Sequence, residues 1–202
     1  AFRLPELTTD KHLYKSTRYE LNIDQDSFVG WARSKHATPS ITVALLMSKV
    51  IENVHPNEKE IICNLARDDR AGSSCQNTIE LAYSRHPDEI PFLDQVENYR
   101  NTIRQSKQKQ QLRDSISRMT ALSDQLDKRK GFLDKQKMLS FYDDLILDTF
   151  VLSYIGQFKL GAYESFIDDI HSYISGSKGL TIQMSAVNET LSLDFIQSFA
   201  DK

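Results

Sequence analysis

The stretch that decides the fold is CNLARDDRAGSSCQNTIELAYSR, residues 63–85. It joins the end of an apolar run, residues 60–66, to an alternating run, residues 77–83. A continuous apolar run is typical of a strand covered on both faces, whereas alternation is typical of a strand with one face against a core. The stretch therefore predicts two strands joined by a sharp charged bend, which carries Arg70 and Asn77.

Composition limits the class of protein. The chain has 202 residues, of which 40% are hydrophobic and 26% charged, with a formal net charge of −3. This length can bury a sizeable core, and the slight negative charge gives no reason to expect nucleic acid as a partner. No apolar run approaches the roughly 18 residues of a membrane span. Cys63 and Cys75 are too few for a disulfide framework or a zinc site, which predicts free thiols in the cytoplasm.

The sequence is interpreted as a short lead-in segment followed by a single lobe. Residues 1–19 have no clear period and are interpreted as a lead-in crossover segment, and residues 20–202 as a single lobe. Residues 18–23 alternate between polar and apolar side chains, which predicts a short strand. A short helix follows, with Asp26 or Ser27 as its N-cap.

The clearest helix lies between Thr38 and Pro56. Thr38 can accept the free backbone amides of the first turn, and Pro39 suits the first helical position, where no donor is needed. Apolar residues cover most of the circumference, so we expect the helix to be largely buried. These residues are Ile41, Val43, Leu45, Met47, Val50, Ile51 and Val54.

The second half alternates helices and strands. A helical pattern precedes a polar break at residues 105–115, and two helices around this break are favoured over one long helix. Residues 131–147 predict one or two helices, and residues 148–158 a strand rich in β-branched and aromatic side chains. Residues 179–199 predict a terminal hairpin, followed by a last helical turn from about Phe195. The class is α/β, with a mixed β-sheet flanked by helices.

No motif in the sequence identifies a catalytic centre. HExxH, GxSxG and phosphate-binding glycine loops are absent. The histidines are interpreted as surface residues, with His86 of most interest because it is close to two acids. Adjacent acidic pairs, such as residues 168–169, would point in different directions from a helix. We therefore predict neither a catalytic residue nor a metal site.

A basic segment is the clearest charge feature. Arg100, Arg104 and Lys107 recur at four- and three-residue spacing and would share one face of a helix. One interpretation is a solvated helix face. The other is an anion-facing surface for a phosphate-bearing ligand or an acidic partner.

The order of these elements resembles the C-terminal lobe of the chloramphenicol-acetyltransferase-like superfamily of CoA-dependent acyltransferases. That superfamily includes the condensation domains of nonribosomal peptide synthetases and the alcohol acetyltransferases. FVGWARSKHATPSITVALLMSKVIENVHP is similar to the family's paired helices, and KEIICNLARDDRAG to the next strand with its arginine bend, here Arg70. Asn77 and Thr78 match the family's next strand. FVLSYIGQF resembles its "SN.G" strand, with Tyr154 after Ser153 where the family has Asn, and residues 179–199 resemble its terminal hairpin.

The resemblance implies an acyl transfer in which a histidine base activates an alcohol or amine against a thioester. The thioester is carried by coenzyme A or a phosphopantetheine arm, and no cofactor is bound tightly. In the family the reaction takes place in a tunnel between two lobes. By the resemblance, Arg70, Asn77, Ser153 and Tyr154 would line this tunnel or brace the bend. Arg100, Arg104 and Lys107 would approach a phosphate of the carrier.

The family's catalytic signature, HHxxxDG, is absent from this sequence. The resemblance therefore implies a missing N-terminal catalytic lobe as partner, an acyl or peptidyl carrier domain as a second one, and no activity of this chain alone. One alternative is a noncatalytic binding or assembly module. Another is an oligomeric acyltransferase whose base is His86 or His171. An isolated lobe would expose the apolar face that meets its partner, so we also expect self-association.

Overall fold

The structure is a computed structural model, and it describes residues 17–57, 60–67, 77–83, 91–106, 117, 120–121, 123–145, 148–172 and 179–197. Side chains are described in these ranges except at residues 67, 77, 78 and 139–145. The strands are β1 Thr17–Asp24, β2 Ile61–Arg67, β3 Asn77–Tyr83, β4 Phe150–Phe158, β5 Leu180–Val187 and β6 Thr190–Gln197. The α-helices with described bounds are α1 Gln25–Ser34, α2 Pro39–Val54, α3 Phe92–Ser106 and α4 Phe132–Leu145. A 3-10 helix spans Gly161–Phe166.

The strands form one mixed sheet in the order β1-β6-β5-β4-β2-β3. β4 pairs in parallel with both β2 and β5, and the other pairs are antiparallel. β2 and β3 pair from Ile61 opposite Tyr83 to Arg67 opposite Asn77. The opening stretch therefore forms adjacent strands, and the predicted α/β class with a mixed sheet flanked by helices is confirmed.

One face of the sheet carries the hydrophobic core. Alternate residues of each strand point to this face and pack against α2 and α3. The core includes Leu45, Cys63, Leu81, Val96, Leu152, Ile182, Met184 and Leu193. The predicted double burial of β2 is confirmed, because Ile61 to Leu65 are all buried.

Two predictions about the first helices need correction. Asp24 caps α1, rather than Asp26 or Ser27, because β1 runs directly into the helix and its last carboxylate accepts a hydrogen bond from the Ser27 N–H at 2.8 Å. In α2, the Thr38 cap and the position of Pro39 are as predicted. The helix is buried on one side only, however: Val50 and Val54 are exposed.

The terminal hairpin is confirmed, but its end differs from the prediction. Phe195 to Gln197 continue β6 instead of starting a helical turn, because β1 pairs with β6 up to Gln197. The described residues from 131 to 145 contain one helix, α4. The N-terminal lead-in up to residue 16 and most of the polar break at 105–115 lie outside the described residues, and Thr17 to Tyr19 already belong to β1.

Candidate functional site

The second face of the sheet is polar, and this face contains the candidate site. The strand register places Ser153, Gln183, Asp194 and Glu20 in one row across β4, β5, β6 and β1. Paired residues project to the same side of a sheet, so these side chains share a face. Gln183 and Asp194 are nevertheless buried, whereas the Glu20 side chain is half exposed.

The segment after β4 covers this polar face. We call residues 159–172 the covering segment; apart from its 3-10 helix it has little regular structure. Ser185 of β5 donates a hydrogen bond to the carbonyl of Ile170. Asn188, in the β5–β6 turn, donates to the carbonyls of Glu164 at 2.7 Å and Ile167 at 2.6 Å. Polar side chains of the sheet therefore satisfy backbone groups of the covering segment, which holds it against the sheet.

Asp194 is the most deeply buried charged residue of this face, with no exposed surface. Its Oδ1 accepts hydrogen bonds from Arg18 Nε at 3.2 Å and Nη2 at 2.9 Å. Its Oδ2 accepts from the backbone N–H of Ser172 at 2.7 Å. A buried carboxylate is costly unless it is paired and hydrogen-bonded, and here β1 and the covering segment supply every partner.

His171 connects Asp194 with two further acids. Its Nδ1 lies 2.8 Å from Asp194 Oδ1, and its Nε2 lies 3.6 Å from Asp169 Oδ2 and 3.8 Å from Glu20 Oε2. Arg18 Nη2 also lies 3.1 Å from Glu20 Oε1. We call these five residues the His171 cluster.

The His171 cluster is better suited to holding the covering segment against the sheet than to acyl transfer. A general base needs a ring nitrogen within hydrogen-bonding reach of the proton that it removes. Both nitrogens of His171 already face carboxylate oxygens, and only 16% of the side chain is exposed. The interpretation of His171 as a surface histidine was therefore wrong, and its geometry gives no support to an acyl-transfer base at this position.

Sequence reasoning missed this cluster for a physical reason. Its members come from β1, the covering segment and β6, and only the strand register brings them together. The available signal was Asp194 within the apolar pattern LSLDFIQ of β6, since a carboxylate in a central strand needs partners.

The predicted tunnel residues occupy different environments. Ser153 is half-buried on the polar face, between Ala66 and Gln183 in the register. Tyr154 is partly exposed next to a β-bulge between Tyr154 and Gly156, and burial raises the pKa of its phenol. Asn77 begins β3, with its side chain outside the described part, and Arg70 lies outside the described residues, as does His86.

The basic face of α3 is partly paired. Arg104 Nη1 lies 3.3 Å from Glu97 Oε1, and Arg100 Nη1 lies 3.6 Å from Glu97 Oε2 and 3.4 Å from the carbonyl oxygen of His36. Lys107 lies outside the described residues. Exposed ion pairs of this kind are weak and screened by salt, so both arginines stay accessible to a stronger anion.

Cys63 packs in the core between the strands, and burial raises the pKa of its thiol. A thiol held in this form is a poor nucleophile, and the predicted free cysteine is confirmed at Cys63. Cys75 lies outside the described residues. Among the residues that the structure describes, no helix has the length and apolar character needed to cross a bilayer.

Comparison with known proteins finds solved structures with a similar fold, but no protein related in sequence. No protein-family profile matches the chain, and no curated protein sequence matches it. Its structure is similar to the starter condensation domain of the rhizomide synthetase RzmA, with a TM-score of 0.51 and 11% identity over 91% of this chain and 41% of that one. It is also similar to the nonribosomal peptide synthetase FmoA3, with a TM-score of 0.59 and 14% identity over 98% of this chain and 20% of that one. The condensation domain of the Monacolin K polyketide synthase MokA gives a TM-score of 0.52 and 12% identity, over 97% of this chain and 47% of that one.

These likenesses confirm the resemblance at the level of the fold. The chain spans less than half the length of each of these solved chains, while each match covers more than nine tenths of this one. A mixed six-stranded sheet flanked by helices is what this chain shares with them. The chain therefore has a fold that matches part of a condensation domain.

Proposed function

We propose that this chain is the C-terminal half of a condensation or acyltransferase enzyme. It would form one wall of a tunnel in which an acyl group passes from a CoA or phosphopantetheine thioester to an amine or alcohol. The observation that carries the proposal is the unequal coverage of the fold match: nearly all of this chain corresponds to less than half of a condensation-domain chain. The remaining part of such a fold is where the HHxxxDG base would lie, and this sequence lacks that motif.

An exposed apolar surface at the end of β4 supports a partner lobe. Within the described residues, β2 and β4 pair from Cys63 opposite Phe150 to Ala66 opposite Ser153, and Tyr154 and Ile155 follow this pairing on β4. Both side chains are partly exposed, and nearby in sequence Tyr163 and Phe166 are more exposed still. A catalytic lobe packed here would cover exposed apolar side chains of this kind.

In this scheme the residues of the chain act by shaping the channel. Ser153 and Tyr154 on β4, together with Asn77 and the bend at Arg70, would border the thioester channel. A base in the other lobe would remove the proton from the attacking amine or alcohol, and the thiol of the carrier would leave. This half supplies walls and positioning, so the chain alone would not catalyse the transfer.

The test is the full-length protein encoded by the gene. We expect an upstream segment with HHxxxDG, transfer of an acyl group from a pantetheine thioester to an amine or alcohol, and loss of transfer when the second histidine of the motif becomes alanine. The chain alone should be inactive. An upstream sequence without this motif, or transfer that survives the histidine substitution, would overturn the proposal.

The carrier contact is tested by charge reversal. Replacing Arg100, Arg104 and Lys107 with glutamate should abolish binding of a phosphopantetheinylated carrier domain to the full-length protein. The control is the same change at residues 128–130, three exposed basic residues that follow α3 in the sequence but do not belong to it. Unchanged affinity in the first variant, or equal losses in both, would remove this contact.

The alternative is a noncatalytic binding or assembly module with the same fold. The absence of HHxxxDG from the sequence favours it, and both ring nitrogens of His171 face carboxylate oxygens. It predicts a reading frame without the catalytic lobe. In either case the isolated chain should self-associate through its exposed apolar surface, and a monomer in light scattering at high concentration would contradict that.

A further inference from the structure

We propose that His171 makes the end of the covering segment, residues 168–172, a pH-sensitive attachment to the polar face of the sheet. The attachment is strong when the imidazole ring is protonated and weakens when the ring is neutral. It lies between β1, β6 and the covering segment, so it does not depend on the acyl-transfer proposal.

The contacts of the two ring nitrogens of His171 suit the protonated ring. Nδ1 lies 2.8 Å from Asp194 Oδ1, and Asp194 also accepts a hydrogen bond from the Ser172 N–H, so Nδ1 carries the hydrogen of this contact. A neutral imidazole has only one N–H. Its Nε2 would then present a lone pair to Asp169 Oδ2 at 3.6 Å and to Glu20 Oε2 at 3.8 Å. Protonation places a hydrogen and a positive charge between these oxygens, which turns two repulsive contacts into attractive ones.

The charged groups around the ring come from three elements. β1 contributes Arg18 and Glu20, β6 contributes Asp194, and the covering segment contributes Asp169. β5, which also lies beneath the segment, has no charged residue. Three carboxylates therefore face one guanidinium, so the cluster has a formal charge of −2 with a neutral ring and −1 with a protonated one. Arg18 contacts Glu20 through Oε1, which leaves Oε2 facing the ring of His171.

The first part of the covering segment is attached by groups that do not ionise near neutral pH. The Asn188 side-chain amide donates to the carbonyl of Glu164 at 2.7 Å and to that of Ile167 at 2.6 Å. Residues 160–167 should therefore stay attached across the neutral range, and the response to pH should be confined to the end that carries His171.

Unpartnered polar atoms beneath the segment oppose its closed position. Gln183 lies opposite Asp194 in the β5–β6 pair, and Ser192 lies two residues before Asp194 on the same face. Both residues are only 1% exposed, and Gln183 Oε1 and Ser192 Oγ have no hydrogen-bond partner in the described part of the chain. A buried polar atom without a partner is destabilising, and water would reach these atoms when the segment detaches. The contacts of the His171 ring act against this tendency.

The direction of the pH effect follows from the groups involved. Histidine changes its charge between about pH 5 and pH 8, whereas carboxyl groups are ordinarily ionised throughout this range. The attachment should therefore be strongest at the lower end of the range and weaken as His171 loses its proton toward the upper end.

The experiment is site-resolved hydrogen exchange of the full-length protein at about pH 5.5 and about pH 8, corrected for the pH dependence of the intrinsic exchange rate. The amide of Ser172 reports on the end of the segment, because it donates to Asp194. The amide of Ile167, which donates to the carbonyl of Glu164 at 3.2 Å, is the internal control.

We expect protection of the Ser172 amide to fall about three- to tenfold at the higher pH, the range for one partly exposed charged contact. Protection of the Ile167 amide should change little. Equal protection of Ser172 at both pH values, or an equal fall at both amides, would overturn the proposal.

Two variants identify the group that responds. His171→Gln keeps a side-chain N–H but cannot ionise, so its Ser172 amide should show, at both pH values, the weaker protection of the unmodified protein at the higher pH. Glu20→Gln removes one carboxylate that faces Nε2 and should reduce the pH effect. Its side chain is half exposed, so it tests the same contact if His171→Gln does not fold. A pH effect that persists unchanged in both variants would contradict the proposal.

The matched control is His36→Asn, which removes an exposed histidine in the turn between α1 and α2. The backbone φ of 55° at this position is one that asparagine tolerates. The pH dependence of the Ser172 amide should be the same as in the unmodified protein. If His36→Asn reduces it as much as His171→Gln does, the effect comes from overall charge and the proposal is wrong.

Discussion

The two faces of the sheet are buried by different means. The helix-packed face is mainly apolar and is covered by α2 and α3, whose apolar side chains fill it, with a hydrogen bond from the Tyr83 hydroxyl to Glu52 Oε2 at 3.2 Å. The polar face is covered by the irregular covering segment, which side-chain hydrogen bonds and ion pairs hold in place. Hydrophobic packing tolerates many sequences, whereas a buried polar network requires particular partners. The first face therefore gives the chain its stability, and the second gives it a specific arrangement of chemical groups.

The largest expected effect is on the helix-packed face. Ile182→Ala should lower the free energy of unfolding by about 2–5 kcal/mol, because the fully buried side chain leaves a cavity in the core. Urea unfolding followed by circular dichroism measures this loss. The matched control is Thr181→Ala, its buried neighbour on the polar face, which should cost only about 1–2 kcal/mol. Equal losses would show that the two faces are not stabilised differently.

Asp194→Asn should have the next largest effect. Breaking a fully buried ion pair costs roughly 3–5 kcal/mol, and the partial exposure of Arg18 reduces this to about 2 kcal/mol. The loss should concentrate in the covering segment, because Ser172 and His171 lose a charged acceptor. Hydrogen exchange of residues 159–172 measures it. Exchange that rises equally in α2 would contradict a local role for Asp194.

A smaller effect is expected at the start of α2, the helix that covers the apolar face. Thr38→Ala should cost about 1 kcal/mol, because the side chain accepts a hydrogen bond from the otherwise unpaired N–H of Ile41. Thr38→Ser keeps this acceptor and should restore most of the stability in the same urea titration. If serine is as destabilising as alanine, the hydrogen bond is not the source of the effect.

The difference between the apolar and the polar face also explains which features could be predicted from the sequence. The apolar face follows from local patterns: the alternation at residues 77–83, the apolar run at 60–66 and the cap at Thr38 each match the structure. The His171 cluster depends on Glu20, His171 and Asp194, whose side chains meet only because β1 pairs with β6 and the covering segment crosses both. Periodicity determines which side of a strand is apolar, but it does not determine which strands become neighbours. The burial of Val50 and Val54 was overestimated for the same reason, because composition alone does not show how many sides of a helix are covered.

The smallest effect is a pH dependence at Asp24, where β1 leaves the sheet and α1 begins. Hydrogen bonds from Ser27, through its side chain first and its backbone N–H second, hold the pKa of Asp24 below its ordinary value of 3.8. A carboxyl group with a lowered pKa in the folded state stabilises the protein above its unfolded-state pKa, and this contribution disappears as the pH falls through the folded-state value. Asp24→Asn keeps a good N-cap but cannot ionise. The difference in free energy of unfolding between the unmodified protein and Asp24→Asn should therefore be present at pH 6 and vanish at a pH well below 3.8. Urea unfolding at both pH values measures this difference. Asp26→Asn, in the first turn of the same helix and without this cap bond, is the control for net charge. If Asp24→Asn and Asp26→Asn change with pH in the same way, the effect comes from overall charge and not from the junction between the sheet and α1.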